Sequence, residues 1–85
     1  MSRGRMYEEE RLLLWTQEAL CEALKRSGIS RSELAGRLGV NRSSVTRQLD
    51  RERTGMQLDA IARYAYECGF RIVPRLEKIG TGGKP

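Results

Sequence analysis

The densest punctuation in this sequence falls between residues 30 and 41, within SRSELAGRLGVN. Ser30 followed three residues later by Glu33 makes a capping box: the serine hydroxyl can accept from the Glu33 amide while the carboxylate reaches back to the Ser30 N–H. Leu34, Ala35 and Leu38 then supply an inward side, Gly39 can take the left-handed conformation that stops a helix, and Asn41 is suited to cap the next one. The pattern predicts a helix from the cap to Leu38, a break over Gly39 to Asn41, and a second helix from Arg42 to about Asp50. Helices this short are marginal in water, so each must be held by neighbours through its few apolar residues. In the second, Val45 and Leu49 lie one turn apart on the inward side. At 100° per residue Ser43, Thr46 and Arg47 fall opposite them, and Arg42 can reach outward from the first turn. Gly36 sits inside the first helix at a cost of about 0.5–1 kcal/mol relative to alanine, and nothing in the sequence accounts for it.

The flanks supply the neighbours. Residues 7–27, YEEERLLLWTQEALCEALKRS, open with glutamates and close with Lys25 and Arg26, the charge order a helix dipole favours. Leu13, Leu20 and Leu24, with Trp15, Ala19 and Ala23 beside them, form its apolar stripe, and Gly28 is placed to end it. The run Leu12-Leu13-Leu14-Trp15 points in several directions round such a helix, so part of it should meet something other than the main core. After the polar connection 51–56, Leu58, Ile61, Ala62, Ala65 and Cys68 repeat at helical spacing and predict a fourth helix from about Gln57 to Cys68, ended by Gly69. The period then changes to two. Phe70, Ile72, Pro74 and Leu76 alternate with Arg71, Val73, Arg75 and Glu77, which predicts a strand over 70–77 that Pro74 restricts to an edge. The glycine-rich stretch 80–85 reads as a disordered tail. The expected fold is one mainly α domain over 1–79, with Leu34, Ala35, Leu38, Val45, Leu49, Ile61 and Ala65 in its core.

Composition narrows the function. The chain of 85 residues carries net charge +5, and the stretch from Lys25 to Arg53 holds the whole surplus, with eight basic residues against three acidic ones. A basic face of this kind suits a polyanionic partner. A domain of this size buries only about 60–65 % of the surface its unfolded chain exposes and leaves no room for a deep cleft. With no histidine to act as a base, the serines of NRSSVT make a poor catalytic set, so no enzyme and no catalytic residue is expected. No metal site or cofactor is expected either, since there is no histidine and there are two cysteines. No apolar run approaches the roughly 18–20 residues of a membrane span, and the first fifteen or so residues lack a signal-type apolar region, so a cytoplasmic protein is expected. Cys21 and Cys68 then read as buried thiols. RNA is the weaker polyanion, because none of Tyr7, Trp15, Tyr64, Tyr66 and Phe70 clusters with the basic stretch to give stacking platforms.

Two helices joined by a three-residue turn containing glycine, the second with a basic polar outer side, match the mechanics of a helix-turn-helix over residues 30–50. ISRSELAGRLGVNRSSVTRQLD resembles the helix-turn-helix of the lambda-repressor and Cro family, the xenobiotic-response-element type. The likeness rests on Ser30-Arg31, Glu33-Leu34-Ala35, Leu38-Gly39-Val40 and the segment Arg42 to Arg47, and it covers roughly residues 18–70. LDAIARYAYECGFRIVPRLE resembles the end of small members of that family, including antitoxins of the HigA kind. The chain departs from the pattern at Arg51, where glycine is common, and at Gln57, where a threonine cap is common.

The resemblance implies a sequence-specific regulator of double-stranded DNA, a repressor that binds a palindromic operator as a homodimer through the recognition helix 42–50. Arg42, Ser43, Thr46 and Arg47 are its expected base-reading residues, and Ser30, Arg31, Asn41, Ser44, Arg51 and Arg53 its expected phosphate contacts. Arginine chemistry agrees independently, since a bidentate contact to guanine favours a G-containing half-site. The strand has no partner in its own chain and is expected to pair with its copy, with Phe70, Ile72, Val73 and Leu76 at the dimer interface. The alternative is an antitoxin that binds a partner toxin protein and represses its own operon.

Overall fold

The computed structural model describes residues 2–50 and 56–79. It is mainly helical, with α1 over Ser2–Ser27, α2 over Arg31–Leu38, α3 over Arg42–Asp50 and α4 over Leu58–Glu67. The α2 boundaries follow from the local signals. Ser30 lies in extended backbone and its Oγ accepts from the Glu33 amide at 3.0 Å. Only half of the expected box forms, because the Glu33 carboxylate turns the other way and accepts from Arg37 Nη2 at 2.9 Å, one turn along the helix. At the other end Gly39 adopts φ 75°. Val40 N donates to Ala35 O at 3.0 Å and Gly39 N to Gly36 O at 3.3 Å, so the last carbonyls of α2 are satisfied by the turn itself. The same device closes α4. Gly69 has φ 85°, Phe70 N donates to Ala65 O at 2.8 Å, and Gly69 N donates to Tyr66 O at 2.9 Å.

The core is made by the second half of α1 and the inward sides of the other three helices. Leu20, Ala23, Leu24, Leu34, Ala35, Val45, Leu49, Tyr64, Ala65 and Cys68 are buried, with Val45 fully enclosed. Leu38 and Ile61 pack against this cluster without being fully buried. α1 and α2 each pack against both α3 and α4. α3 is therefore held from two sides, which matters for what its outer side can do.

Three further features differ from the sequence-based expectation. α1 begins at Ser2 rather than Tyr7, so Glu8, Glu9 and Glu10 fall in its second and third turns. There they are useful as helix-surface partners, Glu9 facing Arg5 at 3.7 Å and Glu8 facing Arg11 at 3.3 Å. The inward stripe of α4 runs from the half-buried Ile61 through Tyr64 and Ala65 to Cys68 just past its end, while Leu58 is 83 % exposed and Ala62 lies outward. Tyr64 is three residues after Ile61 and four before Cys68, so it falls on the core side that Leu58, at the first residue of the helix, overshoots. Finally, residues 70–79 carry no strand. Phe70 and Ile72 pack against the chain's own core instead, directed there by the turn at Gly69, and the Arg26 guanidinium stands 5.0 Å from the Phe70 ring centroid. The expected tail over 80–85 lies outside the described residues.

Candidate functional site

The candidate site is the outer side of α3 and the start of α2. With Val45 0 % and Leu49 3 % exposed, the inward side of α3 is fixed. Arg42, Ser43 and Arg47 are exposed and Thr46 is half-buried, so three of the four residues expected to read bases lie open to solvent on this helix.

Both ends of α3 are held by side chains. At its start, Asn41 Oδ1 accepts from the Ser44 amide at 3.0 Å, which caps the helix, and also from the Ser43 hydroxyl at 2.9 Å and the Ser44 hydroxyl at 3.1 Å. At its end, carbonyls that a helix leaves unpaired are met from α1: Gln17 Nε2 donates to Gln48 O at 3.2 Å, and the Cys21 thiol donates to Leu49 O at 3.6 Å. A third tie comes from α2. Arg31, its first residue, makes a fork to Asp50, the last residue of α3, with Nη1 to Oδ2 at 2.8 Å and Nη2 to Oδ1 at 3.1 Å. That hydrogen bonding holds the Arg31 guanidinium charged even more firmly than usual.

Of the expected phosphate contacts, Ser30 is occupied as the α2 cap, Arg31 is engaged with Asp50, and Asn41 and Ser44 are joined at the α3 cap. Ser30 and Arg31 stand at the beginning of α2, and Asn41 and Ser44 at the beginning of α3. Arg51 and Arg53 lie outside the described residues. No family model, curated protein or solved structure matches the chain.

The electrostatics of the site are simple. Burial pushes the Tyr64 phenol up, with Arg47 pulling it partly back. Burial likewise raises the Cys21 thiol, with Asp50 adding to the effect and Arg31 opposing it. Among the described residues no group of three or more histidine, cysteine, aspartate or glutamate side chains could hold a metal ion, and no helix is long and apolar enough to cross a membrane.

Of the expected interface residues, Phe70 and Ile72 are turned to their own core, whereas Val73 is 72 % and Leu76 99 % exposed. Sequence reading missed four residues that position the site: Gln17, Cys21, Asp50 and Arg37. Arg37 joins α2 to the end of α4 by donating to Glu67 O at 2.9 Å. Each acts across 19 or more positions of sequence, beyond any local pattern.

Proposed function

We propose that this chain is a sequence-specific double-stranded DNA-binding regulator, a repressor with a lambda-repressor-like helix-turn-helix, in which α3 enters the major groove. The observation that carries this reading is that Arg42, Ser43 and Arg47 stand exposed, with Thr46 half-buried beside them, on a helix whose Val45 and Leu49 are buried and whose two ends are tied down. Base readout needs such a platform, because a bidentate arginine–guanine contact tolerates little error in direction. The concentration of positive charge in residues 25–53 supports a nucleic-acid partner, and the starts of α2 and α3 supply N–H groups and polar side chains of the type that orient on phosphates.

Binding as a homodimer places two copies of α3 on half-sites about 34–36 Å apart, one turn of DNA, and makes the operator palindromic. Selection from random duplexes should return a G-containing palindrome. Arg42→Ala and Arg47→Ala should each lose about 1–3 kcal/mol on the selected site with little change on random duplex. Equal losses on both duplexes would show that these arginines do not read bases.

A further inference from the structure

We infer that Asn41 makes Ser43 a reader of exocyclic amino groups, so that the base facing Ser43 in the operator is adenine or cytosine. This rests on the DNA-binding reading and adds to it the edge chemistry that one position of α3 accepts.

The identity of a single atom decides the polarity. The Asn41 atom that caps α3 lies 3.0 Å from the Ser44 amide nitrogen, and a backbone amide only donates, so that atom is the carboxamide oxygen. The same oxygen stands 2.9 Å from Ser43 Oγ and 3.1 Å from Ser44 Oγ. An amide oxygen has no proton to give, so each hydroxyl is the donor and spends its proton inside the cap. Turning the oxygen away would leave the Ser44 amide without its cap. Ser43 is nonetheless exposed, and what it can offer to the major groove is acceptor capacity alone.

In that groove adenine N6 and cytosine N4 are donors, whereas guanine O6 and thymine O4 are acceptors. Every base pair carries one of each kind, on opposite strands. Ser43 therefore does not tell A·T from G·C; it senses which strand carries the amino base. A keto oxygen facing it would meet acceptor against acceptor unless the serine left Asn41. Arg42 and Arg47 have only donors and take the opposite edge, guanine N7 and O6. A serine free of Asn41 could turn its proton outward and accept either edge, so Ser43 is the reading residue and Asn41 the positioning one.

The experiment starts from the operator selected from random duplexes. A second selection with Ser43→Ala identifies the base pair whose preference disappears. Two changes are then made at that pair: inversion, and removal of the exocyclic amino group, with purine in place of adenine or pyrimidin-2-one in place of cytosine. Affinities are measured by fluorescence anisotropy for the full chain, Ser43→Ala, Asn41→Asp and Asn41→Gly, with helicity checked by circular dichroism. Glycine caps a helix nearly as well as asparagine, so α3 should survive its introduction.

The full chain should lose about 2- to 10-fold on either altered duplex, and Ser43→Ala should bind altered and unaltered duplexes alike. Asn41→Asp keeps the acceptor but adds a negative charge, so it should bind every duplex more weakly and retain the penalty for inversion. Asn41→Gly frees the Ser43 proton, and that penalty should shrink toward none. A duplex lacking the amino group that the full chain binds as well as the parent overturns the inference. So does a Ser43→Ala selection that relaxes no base pair, or an Asn41→Gly variant that keeps the whole inversion penalty. Those results leave operator binding and its dependence on Arg47 intact, whereas a chain that selects no duplex at all removes the DNA-binding reading and this inference with it.

Discussion

The fork between Arg31 and Asp50 ties the first residue of α2 to the last residue of α3, and removing either end should loosen the orientation of α3. The side chains are 29 % and 42 % exposed, so water and salt screen the pair and the full value of a buried ion pair does not apply. The two-point geometry, with distances of 2.8 and 3.1 Å, places it at the upper end of exposed pairs, about 0.5–1 kcal/mol. For a domain of this size that corresponds to about 2–8 °C in melting temperature. The assay is a double-mutant cycle of Arg31→Ala and Asp50→Asn, followed by urea unfolding at low salt and at 1 M salt, where the screening length falls to about 3 Å. The coupling should appear at low salt and shrink at high salt. A coupling below about 0.2 kcal/mol at low salt, or one that salt leaves unchanged, refutes the brace. The same variants probe DNA. Asp50→Asn releases Arg31 and removes a negative charge beside it, so binding should tighten on operator and random duplex alike, and Arg31→Ala should lower the salt slope by about 1.

Gly36 lies within α2, and a Cβ built there meets nothing within 4 Å. Gly36→Ala should therefore stabilise the chain by about 0.5–1 kcal/mol, read as a raised urea midpoint; an unchanged or lowered midpoint would refute this. Ala35 is 3 % exposed in the core between α2 and its neighbours, so Ala35→Leu should cost about 1–3 kcal/mol by overpacking, and an unaltered melting temperature would count against that packing. Burial raises both thiols, which disfavours the thiolate, so iodoacetamide should label Cys21 and Cys68 slowly at neutral pH and faster only at pH above the ordinary thiol range. The sign for stability follows: the folded state prefers the protonated thiol, so this contribution is complete below the unfolded thiol pKa and is lost as pH rises through the folded one. Labelling at neutral pH as fast as in an unfolded peptide would overturn it.

Where the sequence was legible, the signal was local. Ser30, Gly39 and Gly69 mark helix ends because caps and left-handed turns are made by residues a few positions apart, and Val45 and Leu49 declare their side by spacing alone. The start of α1 was not legible, since SRGRM carries no inward apolar pattern and the helix there runs on past the core. Glu33 departs from the capping box because its carboxylate, with two partners in reach, takes the charged one, Arg37. The alternation after Gly69 mixed two causes: Phe70 and Ile72 return to their own core while Leu76 faces outward, and a period of two cannot distinguish them. In the candidate site the outward residues of α3 were readable, whereas the ties from Gln17, Cys21 and Asp50 were not, because they join parts of the chain that only the fold brings together.

The convergence on Asn41 Oδ1 also sets the polarity of the start of α3. A serine hydroxyl has a single proton, and both Ser43 and Ser44 have given theirs to the same oxygen. What they turn outward is lone pairs. Beside them Arg42 and the Asn41 amide nitrogen offer only protons. A molecule resting on this end of the helix meets a fixed checkerboard of acceptors and donors: amino groups fit the serine oxygens, and oxyanions fit Arg42 and the Asn41 amide nitrogen.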